Sequence, residues 1–538
     1  MNKKKFLTLI GALSLSAVLS FSCMLTACNP ADKGGDGQMN IIEDNNRNWY
    51  EIFVRSFYDS GDDGVGDLKG VTMKLDYIKE MGFNGIWLMP ICESTTYHGY
   101  DVVDYYTVEQ DYGTNNDFKE LTEEAHKRGI KVIVDMVLNH TSGSNEWFTK
   151  ATRAVKNGET TGENAKYREY YNFVQQSYAN PSMKPVGYNK VSGTSDWFYE
   201  SRFDANMPDL NLDNTAVRSE IADILEYWLV DMDCDGFRLD AVTSYYTGML
   251  SKNVEFLRFV NETTKAIKPD AYIVGEAWEG DSTVRSYYES GCDSFFLFSA
   301  SAGGEGTIRQ IVSSLGSNPG SNFTDLLLRY QSTFNVGTLA PFLGNHDTAR
   351  AANMLRTQDR IKMGAGLLSL MNGNVFVYYG DEIGMTCSDS NSDPTKRVAI
   401  RWAQDEMAEG QVIMPPERGM RVDPSSYSFG SVEEQMENEK SILNYYKQAM
   451  RLRNRHPELA RGTIEKLSSP DPYVAAFSKT WNGESIIVLA NLSDVDLYKV
   501  DISEYGNVEV ADILNVQNRS VVNGNMLTLQ PYSIVILR

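Results

Sequence analysis

The chain of 538 residues is too long for one ordinary domain core and fits two or three domains, one of them large. Its 50 lysines and arginines against 72 aspartates and glutamates give a formal net charge of −22, so the surface repels phosphate backbones and we expect no nucleic-acid partner. The six cysteines include no C-x-x-C pair, which argues against a zinc site and a disulfide framework.

Residues 1–27 have the layout of a secretory signal peptide. A lysine-rich start precedes an apolar run, residues 6–22, that is short for a membrane span. Leu25-Thr-Ala-Cys28 then resembles the bacterial lipoprotein box, in which the cysteine becomes the lipidated first residue of the mature protein. We therefore expect a lipid anchor on Cys28 and a flexible tether over residues 28–47, holding the protein at the outer cell surface. A plain cleaved signal with a coincidental cysteine is the alternative.

From residue 49 onward, strand-like and helix-like runs alternate. Thr114-Asn-Asn-Asp117 predicts a capping box at the start of a helix, and an apolar run that follows it is typical of a strand buried on both faces. Eight strands are predicted, over residues 49–57, 83–91, 130–138, 236–241, 271–277, 292–298, 339–343 and 375–379. The pattern predicts an α/β fold, a (β/α)8 TIM barrel over residues 48–140 and 207–456.

Two stretches depart from this alternation. Residues 141–206 hold no clean β/α unit and are rich in Tyr, Asn, Gly and Ser, which indicates a subdomain inserted after the third strand. After a predicted last barrel helix at residues 439–455, short alternating segments over residues 457–538 predict a C-terminal antiparallel β-sandwich.

Titratable and polar side chains follow several of the predicted strands. They are Asn139 and His140 after the third, Arg238 and Asp240 in the fourth, Glu276 in the fifth, and His346 and Asp347 after the seventh. The carboxyl ends of barrel strands meet on one face, so we expect these side chains to converge there. Any one of them alone is more often a helix cap or a solvated loop residue.

Two carboxylic acids facing each other, without a thiol, a phosphate loop or a redox motif, suit the cleavage of acetals, with one acid as nucleophile and the other as proton donor. Arg238 shares a strand face with Asp240 and would lower its pKa, which keeps the nucleophile ionised. Glu276, beside Ala277 and Trp278, would stay protonated as the donor.

Binding residues are predicted around this pair. Asp347, His140 and His346 would bind sugar hydroxyls. Tyr100 and Trp278 would stack on sugar faces, although each aromatic residue alone is more often part of a core.

Six segments in this order resemble the signature regions of the α-amylase family of glycoside hydrolases. They are His98-Gly-Tyr-Asp101, Asp135-Met-Val-Leu-Asn-His140, Met207-Pro-Asp-Leu-Asn211, Gly236-Phe-Arg-Leu-Asp240, Gly275-Glu-Ala-Trp278 and Phe342-Leu-Gly-Asn-His-Asp347. The resemblance covers the chain from Trp49 to the C-terminal sandwich and implies that residues 141–206 are the family's domain B.

The resemblance also implies an α-retaining mechanism. Asp240 would form the covalent glycosyl intermediate, Glu276 would act as acid and then base, and Asp347 would stabilise the distorted sugar ring. It implies that the subsite of the attacked glucose is shaped by Arg238, His140, His346 and Tyr100.

The aspartates between residues 59 and 67 form a plausible oxygen cage for a structural Ca²⁺. The stretch resembles a calcium loop that follows the first strand in many family members, which implies ligands from the side chains of Asp59, Asp63 and Asp67 and from the carbonyl of Val65. Gly61 stands where a further acidic or amide ligand is usual.

The family's second calcium site would use Asn139 and Asp209. Many members carry Lys-His three and four residues after the nucleophile, where this chain has Thr243 and Ser244. The departure affects both this site and the usual lysine contact on the leaving-group side of the substrate.

We expect a monomeric, surface-anchored α-amylase that cleaves internal α-1,4-glucosidic bonds of starch and maltodextrins. The alternatives are a neopullulanase-like, oligo-1,6-glucosidase-like or transglycosylating member of the family, and a catalytically inactive glucan-binding surface protein. Met207 favours the amylase and neopullulanase side, since the exo-acting oligo-1,6-glucosidases tend to carry Gln there.

Overall fold

A computed structural model of the chain describes residues 44–176, 187–301, 307–313 and 317–538. The predicted signal peptide, Cys28 and most of the predicted tether lie outside the described residues. No helix in the described part of the chain is long and apolar enough to cross a membrane.

Eight parallel strands form one sheet in chain order, with the first strand also paired to the eighth. They are Asn48–Ile52, Gly85–Leu88, Lys131–Met136, Gly236–Leu239, Tyr272–Gly275, Ser294–Phe296, Thr338–Ala340 and Val375–Tyr378. A parallel bridge between Phe342 and Phe376 joins the seventh strand's exit to the eighth and closes the ring. This confirms the predicted barrel.

The barrel interior is filled by aromatic rings. Trp49 stacks on Tyr272 at 5.1 Å and on Phe376 at 5.8 Å between ring centroids. Trp87 lies 5.3 Å from Phe296 in the same buried cluster. Because strand side chains alternate between faces, Trp49 and Glu51 of the first strand share one side of it.

Helices pack around the outside of the barrel, and one short helix, Asp393–Lys396, lies in the connection after the eighth strand. In the described residues from the first barrel strand to the C-terminal domain, outside the insertion, they are Leu68–Met73, Leu75–Met81, Asn115–Lys127, Thr215–Glu226, Leu250–Ile267, Asp281–Tyr287, Thr307–Val312, Pro319–Thr333, Ala351–Leu355, Gln358–Ser369, Asp393–Lys396, Val432–Glu437, Ile442–Arg455 and Glu458–Arg461. The capping box of Thr114 and Asp117 is confirmed. The helix Thr215–Glu226 continues into a π-helical turn, Tyr227–Asp231, whose Trp228 Nε1 donates to the carbonyl of Tyr105 at 2.9 Å.

Two features lie above the barrel's carboxyl face. The antiparallel strands Cys92–Ser94 and Val102–Val108 form a hairpin after the second strand that the sequence pattern did not predict. The described residues of the range 141–206 form two helices and a small antiparallel sheet: Glu146–Asn157, Glu163–Arg168, Phe173–Gln175, Tyr188–Lys190 and Trp197–Glu200.

The C-terminal part consists of two antiparallel sheets. The five-stranded sheet contains Thr463–Lys466, Val474–Trp481, Glu484–Asn491, Ser533–Leu537 and Val510–Asn515. The three-stranded sheet contains Tyr498–Asp501, Met526–Leu529 and Val521–Asn523. Their shared apolar cluster includes Leu489 from the larger sheet and Leu527 from the smaller one, as a sandwich requires.

One buried lysine of this domain binds the barrel, and a buried arginine of the barrel's own helix Ile442–Arg455 supports the same region. Lys479 Nζ donates to the carbonyls of Leu370 and Leu459 at 2.7 and 2.6 Å. Arg453 Nη1 donates to the carbonyls of Ser369 and Met371 at 3.0 and 2.5 Å. The carbonyl groups at the end of helix Gln358–Ser369, which lack partners within the helix, are therefore satisfied from outside it.

Candidate active site

The three carboxylates predicted to work together line one cavity of about 390 Å³ at the carboxyl ends of the strands. Asp240 directly follows the fourth strand, Glu276 directly follows the fifth, and Asp347 lies in the loop after the seventh. The cavity is lined by His98, Tyr100, His140, Phe203, Met207, Asp240, Ala241, Thr243, Ser244, Glu276, Trp278, Asp347, Asp393 and Arg397.

The guanidinium of Arg238 connects the carboxylates. Its Nη1 lies 2.8 Å from Asp240 Oδ1 and 2.8 and 2.9 Å from the two oxygens of Asp135, while its Nη2 lies 2.8 Å from Glu276 Oε2. Arg238 is completely buried and lies over the ring of Trp87 at 5.2 Å. Burial alone would lower the pKa of Arg238, but the surrounding carboxylates raise it well above its ordinary value.

The local backbone brings this arrangement about. Gly236 opens the fourth strand at a φ of 141°, and a Cβ there would lie 1.9 Å from the carbonyl oxygen of Tyr272 in the fifth. Glycine thus permits the strands carrying Arg238 and Glu276 to pair closely. Ala241 has a φ of 47°, a strained conformation, and its N–H donates to Glu276 Oε2 at 3.0 Å.

Glu276 has the protonation behaviour of a proton donor. Burial raises its pKa to about 7, with Asp240 and Asp347 adding to the rise and Arg238 opposing it. Retaining glycosidases hold their two carboxyl groups about 5 to 5.5 Å apart. Asp240 and Glu276 bind the two terminal nitrogens of one guanidinium, which keeps the two carboxyl groups near each other.

Asp347 is held by two cations. His346 Nε2 lies 3.0 Å from Asp347 Oδ2, and Arg397 Nη2 lies 2.8 Å from Oδ1. Burial would raise the pKa of Asp347, but His346 and Arg397 outweigh it and hold the pKa well below its usual range. Burial also opposes protonation of His346, whose pKa is nevertheless raised to about 9 by Asp347 and Glu51.

Tyr100 and His140 form a wall of the cavity. Tyr100 stacks on His346 with ring centroids 5.7 Å apart, and its hydroxyl lies 2.6 Å from His346 Nε2. His140 Nε2 donates to the carbonyl of Tyr100 at 3.0 Å, and its Nδ1 lies 3.3 Å from Asn139 Nδ2. Burial lowers the pKa of His140, so a neutral imidazole with both nitrogens engaged shapes the wall.

Two exposed aromatic side chains flank the entrance. Trp278 is 54% exposed and stacks on Phe298 at 4.5 Å, which leaves its other face for a ligand. Phe203, from the inserted segment, is 51% exposed and lies 5.4 Å from the ring of His140.

Sequence reasoning singled out Trp278 but missed several other residues of the site. Asp393 and Arg397 follow the eighth strand, and an acidic and a basic residue four apart after that strand was the available signal. Phe203 lies in the inserted segment, which offers no comparable signal. Asp135, bound by Arg238, belonged to a noted motif but received no role.

The predicted first calcium loop is held by its own backbone. Asp59 accepts from the N–H groups of Gly61 and Gly64 at 2.9 and 2.6 Å, and Asp67 accepts from Gly70 at 2.7 Å. Asp63 accepts from Val65 N–H at 2.9 Å. Within the described ranges, no three His, Cys, Asp or Glu side chains are grouped to hold a metal ion. As folded, the loop does not present the converged oxygen cage of Ca²⁺, and calcium binding stays a prediction.

The second predicted calcium site is bridged by hydrogen bonds. Asn139 Nδ2 donates to Asp209 Oδ1 at 3.1 Å, and the backbone N–H of Arg202 donates to Oδ2 at 3.1 Å. Burial raises the pKa of Asp209 to about 7. Arg202 Nε donates to Ser244 Oγ at 3.1 Å, which links the inserted segment to the loop after the fourth strand. These residues, with N–H donors on both oxygens of Asp209, do not fit a cation as folded.

Comparison with known proteins gives consistent matches over most of the chain. The profile of the family described as "Alpha amylase, catalytic domain" matches residues 51–462. The "Alpha-amylase 3" of Dictyoglomus thermophilum is 34% identical over 502 residues, covering 91% of this chain and 92% of its own. An oligo-1,6-glucosidase of Parageobacillus thermoglucosidasius is 29% identical, covering 83% of this chain and 89% of its own. The solved structure of Eubacterium rectale Amy13B matches with a TM-score of 0.85 at 38% identity, covering 93% of this chain and 97% of that one.

Proposed function

This chain belongs to the α-amylase family of glycoside hydrolases, and on that premise we propose that it hydrolyses internal α-1,4-glucosidic bonds of starch and maltooligosaccharides. The observation that supports this best is the bridging of Asp240 and Glu276 by one buried guanidinium, with Asp347 in the same cavity. A nucleophile, a donor with a raised pKa and an ionised carboxylate are the groups that a retaining glycosidase needs.

The reaction proceeds in two displacements at one carbon. Asp240 attacks the anomeric carbon while Glu276 gives its proton to the glycosidic oxygen, so the C–O bond breaks and a glycosyl ester of Asp240 forms. Glu276, now a carboxylate, takes a proton from water, whose oxygen attacks the same carbon and releases Asp240. Asp347 accepts hydrogen bonds from sugar hydroxyls as the ring flattens.

The substrate preference is the finer part of the proposal. Met207 lines the cavity, where the exo-acting oligo-1,6-glucosidases tend to carry Gln, and a relative named as an α-amylase is 34% identical. An apolar thioether offers no amide hydrogen bonds to a terminal sugar, which favours binding along a chain.

The proposal is tested by incubating the protein with soluble starch, pullulan and isomaltose and sizing the products. We expect starch to yield oligosaccharides of several lengths early in the reaction, with an early fall in viscosity. Release of glucose alone from non-reducing ends would contradict the proposal that the enzyme cleaves internal bonds. Cleavage of pullulan or isomaltose at comparable rates would favour the neopullulanase-like or oligo-1,6-glucosidase-like alternative, which the 29% identical relative supports.

Two further alternatives to the proposed hydrolysis each depend on a separate observation. The first is glycosyl transfer. Thr243 and Ser244 line the cavity in place of the usual Lys-His, so the leaving-group side of the site differs from that of many relatives. Products longer than a maltotriose substrate would reveal glycosyl transfer. A catalytically inactive glucan-binding protein is disfavoured because Asp240, Glu276 and Asp347 are all present and share one cavity.

We also propose a structural Ca²⁺, bound at the loop of Asp59, Asp63, Val65 and Asp67 after rearrangement of its amide contacts. Such an ion would stabilise the loop and would take no part in the chemistry. Added Ca²⁺ should raise the melting temperature of protein stripped with EDTA, and Asp63→Ala should remove that increase. If stripped and Ca²⁺-loaded protein melt at the same temperature, the calcium proposal falls.

A further inference from the structure

A buried carboxylate behind the cavity has no role in the two displacements. Glu51 belongs to the first strand and is 1% exposed. Its Oε1 lies 2.6 Å from His346 Nδ1, the ring nitrogen that faces away from Asp347. Glu51 is absent from the lining of the cavity, so it acts on a substrate only through His346.

His346 stands between two carboxylates. Its Nδ1 contacts Glu51, and its Nε2 lies 3.0 Å from Asp347 Oδ2. With a neutral imidazole protonated on Nδ1, Nε2 would accept from the Tyr100 hydroxyl at 2.6 Å, but its lone pair would also lie 3.0 Å from Asp347 Oδ2. The imidazolium donates from Nδ1 to Glu51 and places positive charge beside Asp347, so the two carboxylates together favour the doubly protonated form.

The contacts extend into an alternating series of charges. Glu51 is followed by His346, then by Asp347, and then by Arg397, whose Nη2 binds Asp347 at 2.8 Å. The titratable and charged groups around His346 are Glu51 from the first strand, Asp347 from its own loop, Tyr100 from the hairpin with Asp135 behind it at 3.2 Å, and Arg397, which donates to the His346 carbonyl at 3.2 Å.

We propose that Glu51 is a positioning residue that holds His346 in the doubly protonated form and thereby keeps Asp347 ionised and aimed at the substrate's hydroxyls. This inference rests on the proposed function for its effect on turnover. The charge on Glu51 matters more than its hydrogen bond, because a glutamine can accept from Nδ1 but cannot stabilise the imidazolium to the same extent.

The first test measures His346 directly and does not depend on activity. Nitrogen-15 labelling of the five histidines gives their titration curves by NMR, and the signal missing from His346→Gln identifies His346. In Glu51→Gln we expect the pKa of His346 to fall by about one unit or more. The matched control is Glu382→Gln, which removes a buried carboxylate bound to Tyr50 and Tyr77 instead and should leave the His346 titration in place.

The second test measures kcat/KM for a maltooligosaccharide between pH 5 and 9. Glu51→Gln should lose about tenfold more activity at pH 8 than at pH 6, because His346 deprotonates earlier. Glu51→Asp keeps the charge, so its profile should lie closer to that of the unaltered protein and shows that loss of folding is not the cause.

The inference is overturned if Glu51→Gln lowers activity by the same factor at every pH and leaves the His346 titration unchanged, which indicates a purely structural role. If the protein cleaves no glucan but the titration moves as expected, the proposed function fails and the pairing of Glu51 with His346 stands.

Discussion

Arg238 contributes one guanidinium to three carboxylates, and all of its contacts lie inside the barrel. Removing such charges from water is costly, so the network is stable only when each member keeps its partners. The benefit for catalysis is that these charged groups are fixed before the substrate binds, so less reorganisation is needed in the transition state. A lysine at this position would bind as a point charge and would not bridge Asp240 to Glu276.

Asp240→Asn should lower kcat by about a thousandfold or more and leave glucan binding in place, because the amide cannot form the glycosyl ester but fills the same space. Turnover and binding of a maltooligosaccharide are measured side by side. Asp270→Asn, at a distant ion pair with Lys131, is the matched control. Undiminished turnover in Asp240→Asn would overturn its assignment as nucleophile.

The pKa of Glu276, raised by burial to about 7, predicts the alkaline limb of the pH profile. The donor must carry its proton, so kcat/KM should be retained below about pH 7 and fall about tenfold per unit above it. In Glu276→Gln this limb should disappear, and a maltosyl fluoride, whose leaving group needs no proton, should still form the glycosyl enzyme. An alkaline limb that survives Glu276→Gln would assign that limb to another group.

At the scale of single residues, the pairing of Arg238 with Asp240 could be predicted from the sequence, because residues two apart on a strand share a face. The partnership of Glu51 with His346 was not, since it needs the first strand to lie beside the loop after the seventh once the barrel closes. Arg397 comes from a long connection without periodicity, where the charged pair four residues apart marks a candidate but does not place its side chain in the cavity.

At the scale of elements, the end of helix Gln358–Ser369 shows how the C-terminal domain is attached. Lys479 comes from a strand of that domain and reaches carbonyls of the barrel, and it is completely buried. The barrel strands could be predicted from apolar runs that are buried on both faces, and the outer helices from apolar residues that repeat about every 3.6 positions. The turn Tyr227–Asp231 could not, since its contacts with the hairpin override a helical pattern.

Lys479→Met should lower the free energy of unfolding by about 2 to 4 kcal/mol, because buried carbonyls of Leu370 and Leu459 lose their donor. Denaturant unfolding followed by tryptophan fluorescence gives the midpoint. Lys499→Met, at an exposed position of the smaller sheet, is the control and should change little. Equal unfolding midpoints for the two variants would show that the contacts of Lys479 contribute nothing to stability.

At the scale of the whole molecule, we propose that the protein works as a monomer at the outer cell surface. The net charge of −22 keeps the surface well solvated and suits neutral partners such as starch and maltodextrins. The two antiparallel sheets of the C-terminal domain follow the sequence patterning because they bury a shared apolar cluster, and the eight-stranded barrel does so because its strands bury apolar side chains both inside the ring and under the helices.

Cys28→Ala should move the protein from the detergent phase to the aqueous phase in a phase-partition experiment on expressing cells, since the acyl chains would be lost. Cys23→Ala, within the predicted signal peptide, is the matched control and should leave the partition unchanged. Persistence of Cys28→Ala in the detergent phase would exclude this cysteine as the anchor.

The first barrel strand determines at which end of the barrel the predicted tether is attached. Asn48–Ile52 runs toward the cavity, so the residues before it lie at the opposite end, where Asp44 pairs with Arg461 at 2.7 Å and Asn45 binds the carbonyl of Asp270 at 3.3 Å. The predicted tether would hold the barrel by the end opposite the cavity. The opening would then be free to face the medium, where a polymer too large to enter the cell could reach it without obstruction from the bilayer.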